Sequence, residues 1–174
     1  NSKFTAIVLD SISGRILKQL YQKERVYNQG YEQTDLQDNF YDVAISNVPF
    51  GNYGVFDRNY NKENFKIHDY FFAKSLDKVR SKGVVAFITS RGTMDKMSKD
   101  VREYIAKRAD LLGAIRLPSS AFKKIANTDV TTDIIFLQKR EEVREELPNW
   151  VNSVEYFNDV YMNQYFIDNP EMIM

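Results

Sequence analysis

Tyr41-Asp42-Val43-Ala44-Ile45-Ser46-Asn47-Val48-Pro49-Phe50 is the stretch that decides how this chain folds. Its first six residues form a short apolar run with branched side chains, which reads as a buried strand. Asn47 and Pro49 stop that strand abruptly. Such an ending presents an amide oxygen at Asn47, a rigid backbone carbonyl at Val48 and a flat apolar ring at Phe50. Those groups suit the exocyclic amine of a nucleobase. On these residues alone a second reading weighs the same: Asn-X-Pro as a turn, with Phe50 in the core.

Downstream, residues 51–66 hold four Asn and two Gly among Tyr53, Phe56, Tyr60 and Phe65, which predicts a long loop. Residues 68–80 carry Phe72, Leu76 and Val79 at helical spacing, and 83–89 read as a strand buried on both faces. A loop is expected over 91–97. A helix follows over 98–108, with Val101 and Ile105 inward and its charges ordered as the helix dipole favours. Strands over 111–117 and 131–139 flank one helical turn at 121–126. Upstream, residues 4–9 read as a strand. Ser11 caps a helix with Ile12, Ile16 and Leu20 on one face, and 25–29 form a short strand ending at Gly30. This alternation predicts an α/β fold with a mainly parallel sheet and helices on both faces. Ligands of such sheets sit beyond the carboxyl ends of the strands. Asp10, Gly30-Tyr31-Glu32, Asn47 to Phe50 and Arg91 all fall there, on one expected rim.

The chain has 174 residues, enough for one domain with a sizeable core. It has no Cys and a single His, which leaves no disulfide, no thiolate metal site and no His-built metal centre. No apolar run is long enough to cross a membrane and no signal peptide is visible, so a cytoplasmic, membrane-free protein is expected. Lys plus Arg equals Asp plus Glu, whereas phosphate neutralisation drives most non-specific DNA binding. Lys96, Lys99, Arg102, Lys107 and Arg108 cluster, but Asp95, Asp100, Glu103 and Asp110 are mixed with them, which reads as a solvated helix face. Any strong grip on DNA is expected outside this chain.

The stretch Asp42 to Gly51 resembles the Asn-Pro-Pro-Tyr/Phe motif of the N6-adenine DNA methyltransferases. With Val in the second position and Gly after the motif, it is similar to the methylase modules of large helicase-methylase proteins of bacterial mobile elements and phages. The resemblance continues through Leu9-Asp-Ser-Ile-Ser-Gly-Arg-Ile16, His68-Asp-Tyr-Phe-Phe-Ala-Lys-Ser-Leu76, Gly83-Val-Val-Ala-Phe-Ile-Thr-Ser-Arg-Gly-Thr-Met94 and Thr132-Asp-Ile-Ile-Phe-Leu-Gln-Lys-Arg140. It covers residues 2–140, and 150–174 more weakly.

The resemblance implies a Rossmann-like S-adenosylmethionine-dependent methyltransferase fold of a restriction-modification type. It implies a partial catalytic domain over 1–147, and a tail over 148–174 that packs on it or leads to a further domain. In the family the Asn47 amide and the Val48 carbonyl would hold N6 of a flipped adenine, with Pro49 aiming the carbonyl and Phe50 stacking. Asp10 and Glu32 would bind the cofactor, with Asp35 as a substitute for Glu32; Asp10 reads at least equally as a helix N-cap, and Glu32 also reads as an exposed turn residue. Two departures stand out. Val8 occupies the place of the family's stronger ribose-binding acid, and no Gly-X-Gly occurs in the chain, so the first strand and glycine-rich loop are expected to be missing. These departures favour a non-catalytic module for DNA contact or protein assembly, whereas the intact Asn47 to Phe50 favours the enzyme. Tight S-adenosylmethionine binding by this chain alone is not expected. The uncovered middle of the sheet is expected to be covered by residues 148–174 or by a second copy, as a homo-oligomer.

Overall fold

The computed structural model describes residues 2–121 and 130–174. The strands are β1 (Thr5–Ile7), β2 (Arg25–Tyr27), β3 (Tyr41–Asn47), β4 (Val79–Ser90), β5 (Ala109–Leu117), β6 (Thr132–Lys139), β7 (Ser153–Phe157) and β8 (Val160–Asn163). The helices are α1 (Ser11–Leu20), α2 (Ile67–Lys78), α3 (Gly92–Asp95), α4 (Asp100–Arg108) and α5 (Gln164–Asp168). The main sheet has the order β3-β4-β6-β5. β3 and β4 are parallel, and β6 is antiparallel to both β4 and β5. Thus β3, β4 and β5 run one way and β6 alone runs against them. β1 and β2 form a separate parallel pair, and β7 and β8 an antiparallel hairpin. α2 passes directly into β4, and α4 into β5, with no linking residue.

The core lies between β4, β6 and the helices. Phe72 and Leu76 of α2, Val85 and Phe87 of β4, Val101 and Ile105 of α4, Leu137 of β6 and Phe166 of α5 are all buried in one cluster. Each such side chain contributes about 1.5–3 kcal/mol by leaving water. β4 alternates fully buried and half-buried residues from Gly83 on, so one face packs more tightly than the expected two-sided burial. Val79, read from its spacing as the end of a helix, instead opens β4 and is fully buried.

Other expectations change: β3, read as a buried strand, lies at the edge of its sheet with no buried residue, and its Val43 and Ile45 are exposed. Ile12, Ile16 and Leu20 do share a face of α1, but that face is exposed. The buried residue of α1 is Gly14, which lies against Asn28, whose amide donates to the carbonyls of Val8, Leu9 and Asp10. Asp10, not Ser11, caps α1. The expected loop over 91–97 contains α3, with Thr93, Met94 and Asp95 buried. Arg102, read as part of a solvated face, is fully buried, donating to the carbonyls of Val151, Thr93 and Lys96. Its partners are backbone oxygens supplied by two other segments, which charge patterning cannot reveal. The turn expected over 121–126 lies, except for Ala121, outside the described residues.

Residues 148–174 attach at the far side of the molecule. Asn163 donates through its amide to the carbonyls of Met94 and Trp150, and Ile173 bridges to Arg116 on β5. They therefore leave the free edge of β3 open. Among the described residues no helix is long and apolar enough to cross a membrane.

Candidate active site

A groove of about 540 Å³ separates the β1–β2 pair from β3. Thr5, Ile7, Val8 and Leu9 line one side, and β3 from Val43 to Asn47 lines the other. The Tyr41 hydroxyl spans the gap, donating to Thr5 Oγ1 at 3.2 Å. The walls are mainly apolar, and Ile45 stands 80% exposed on the β3 edge.

Asn47 is the last residue of β3 and lines this groove with Pro49. Val48 is buried, and its N–H donates to the Ile88 carbonyl at 3.0 Å, so the backbone stays lashed to β4 past the strand end. Pro49 confines residue 48 to extended conformations. Together these fix the direction of the Val48 carbonyl. Among the described residues, neither that carbonyl nor the Asn47 side-chain amide is taken up in another hydrogen bond. Phe50 follows with its ring partly exposed.

The two acids part company. Asp10 accepts the Ser13 N–H at 2.6 Å, and that backbone bond holds its carboxyl below the usual range. Its carboxylate serves the α1 cap and does not line the groove. Glu32 does line it, from a single turn of 3-10 helix over Tyr31–Gln33. Its carboxylate folds back over Gly30, where a Cβ would stand 2.0 Å from Oε1. Any larger residue at position 30 would make that carboxylate swing aside. Asp35 is exposed and lines no part of the groove. Arg91 faces a separate hollow with Lys96 and Tyr161. The expected rim is therefore split, with Glu32, Asn47 and Pro49 on one cavity and Arg91 on another.

Behind the groove lies a buried network that sequence reading missed. Lys74 of α2 donates to the Tyr31 carbonyl at 2.8 Å and to Asp57 Oδ2 at 3.0 Å. Tyr70 donates to the same carboxylate oxygen at 2.7 Å. Burial pushes the Asp57 carboxyl up, but the Tyr70 and Lys74 hydrogen bonds outweigh it and hold it below the usual value. The available signal was a lysine four residues after Tyr70, inside a run of buried helix positions.

For an adenosyl group the groove offers apolar walls and one carboxylate, Glu32, able to accept from hydroxyls. Among the described residues it offers no free cation for a carboxylate, since Lys78 on its wall is paired with Asp38. The described residues thus match the nucleoside end of S-adenosylmethionine and not its amino-acid end.

This fold is a Rossmann-like one shared with S-adenosylmethionine-dependent methyltransferases. A class I S-adenosylmethionine-dependent methyltransferase of Listeria monocytogenes superposes on 84% of this chain and 48% of its own, with a TM-score of 0.62 and 20% identity. The M protein of the type I restriction enzyme EcoKI superposes on 78% of this chain and 31% of its own, with a TM-score of 0.67 and 16% identity. The chain belongs to the Eco57I restriction-modification methylase family, whose model matches residues 2–122. It is also 30% identical over 152 residues to the defense against restriction protein B of Escherichia phage P1, across 83% of this chain and 7% of that protein. The chain spans only that small share of this relative's length.

Proposed function

We propose that this chain is catalytic-domain sequence of a DNA adenine N6-methyltransferase, acting in the cytoplasm within a larger protein. The observation that carries the reading is the exposed Asn47 side-chain amide, which lines the groove with Pro49 at the carboxyl end of β3 and leads straight into the Val48 carbonyl, the second acceptor in this reading. The lone pair of adenine N6 is delocalised into its ring. Accepting hydrogen bonds from both N–H groups pulls the nitrogen toward a tetrahedral shape and frees that pair for attack. The base reaches these acceptors only after leaving the duplex, and Phe50 stacks on it there. Glu32 accepts from the ribose hydroxyls of S-adenosylmethionine, which supplies the methyl group when bound. Positioning does most of the remaining work.

A non-catalytic role in DNA contact or assembly is the second reading. It is favoured by the engagement of Asp10 as a cap and by Val8 in the groove wall, which leave a single carboxylate there. The deciding experiment is a methylation assay on adenine-containing DNA with the complete protein and its Asn47→Ala variant. Loss of at least about 100-fold in rate is expected, since one acceptor used at the reacting atom is removed. The fold should persist, because Asn47 is exposed. A fully active variant would overturn the assignment. Calorimetry on this chain alone should show no tight binding of S-adenosylmethionine, because nothing in the described groove is free to hold its carboxylate.

A further inference from the structure

Lys74 is 4% exposed and does not line the groove, yet it holds two segments that do. One is the turn carrying Gly30 and Glu32. The other is the loop that follows Phe50 and contributes Tyr53 and Val55 to the wall. We propose that Lys74 is a positioning residue that couples these two ends of the groove, so that a ligand seated at Glu32 strengthens the binding of a second ligand at Asn47. The identities of the two ligands, a nucleoside cofactor and an adenine base, rest on the methyltransferase reading; the coupling itself does not.

The geometry is that of a cross-brace. The Lys74 ammonium sits 5.0 Å from the centre of the Tyr31 ring and 5.8 Å from that of Tyr70. It donates in one direction to the Tyr31 carbonyl, which also accepts the Thr34 N–H at 3.1 Å. In the other direction it donates to Asp57. Asp57 organises the loop: its second carboxylate oxygen accepts from Asn59 N–H, and its carbonyl accepts from Tyr60 and Asn61. A buried ammonium held by one carboxylate and one carbonyl loses much of its stabilisation if either moves away. Ordering one segment therefore holds the ammonium in place for the other. A second ligand then meets a loop whose ordering cost has already been met.

Amide hydrogen exchange on this chain tests the brace without any activity. Asp57→Asn removes the charge from the loop and touches nothing in the turn. Coupling predicts that the Thr34 amide, which makes no contact with Asp57, exchanges about tenfold faster in this variant, as a local opening. Lys74→Met should release the Thr34 and Tyr60 amides together, and Lys74→Arg should restore both. The Leu137 amide in β6 should stay unchanged, marking an intact core. Acceleration confined to residues 57–61 in Asp57→Asn would overturn the proposal. In the complete protein, a saturating adenine-containing oligonucleotide should tighten S-adenosylhomocysteine about fivefold by calorimetry. That gain should vanish in Lys74→Met, and an equal gain in both proteins would also overturn the coupling. If the wild-type protein binds neither probe, the methyltransferase reading fails, while the exchange result still decides the brace.

Discussion

His68, the only histidine, lies in the first turn of α2 with 6% of its surface exposed, and its Nδ1 has no partner among the described residues. Burial pushes its pKa below the ordinary 6.5, against the opposing pull of Asp69. A histidine kept neutral in the fold takes up its proton more readily when the chain unfolds. Its contribution to stability is therefore complete above about pH 6.5 and is lost as the pH falls below that value. Urea midpoints measured from pH 7.5 to pH 5 should fall more for the wild type than for His68→Gln. Parallel curves would contradict this account. At the same scale, the end of β3 at Asn47 was legible because Pro49 cannot continue a strand. Asp10 carried two readings of equal weight in the sequence, a helix cap and a ribose-binding acid, and the Ser13 N–H on its carboxylate decides for the cap.

Helix α1 shows where periodicity misleads at the scale of the element. Its apolar stripe is real, but the helix packs through Gly14 against the Asn28 amide, a polar side chain twenty residues from the carbonyl of Val8 it bonds. Nothing local distinguishes the two arrangements. Strands were easier: β4 and β6 carry short apolar runs that cannot remain in water, and β3 was readable as a strand although its apolar residues stay exposed or half-buried. β5 is held by a feature less visible in sequence. Arg116 lies between Asp133 and Asp95, with its guanidinium 4.2 Å from the Phe166 ring. Burial disfavours its charge, but the hydrogen bonds and charge of Asp133 and Asp95 outweigh that and raise its pKa. Arg116→Met would strand two buried carboxylates, and should cost on the order of 3–5 kcal/mol by chemical denaturation. A loss under 1 kcal/mol would show that water reaches them freely. The same bridge joins α3 and α5 to the sheet, so residues 148–174 should loosen with it.

Over the whole molecule, the order of strands and helices was readable from the sequence, and their placement in space was less so. Whether neighbouring runs share one sheet is set by pairings between distant residues. The split between β1–β2 and the main sheet is such a case. The edge of β3 that this leaves carries Val43 and Ile45, both exposed, and an open apolar edge invites another strand. Light scattering on this chain should therefore show association that grows with concentration, and Ile45→Lys should return it to a monomer. A wild-type chain that stays monomeric at high concentration would remove the second copy as the cover for this edge. Within a larger polypeptide the same edge is available to any extended segment that can reach it.

The two seams where a helix becomes a strand without an intervening residue have a consequence for how this chain tolerates rearrangement. At 78/79 and 108/109 a single inserted residue would reverse which side of β4 or β5 each following side chain occupies, since strands alternate at every step. The β7–β8 hairpin carries the opposite property. Its turn holds Asn158 and Asp159, both with positive φ and exposed, and these turn residues bear no part of the main core. New termini, tags or guest sequences belong at that turn. The helix-to-strand seams mark the places where the chain cannot be cut or lengthened without rewriting what lies inside it.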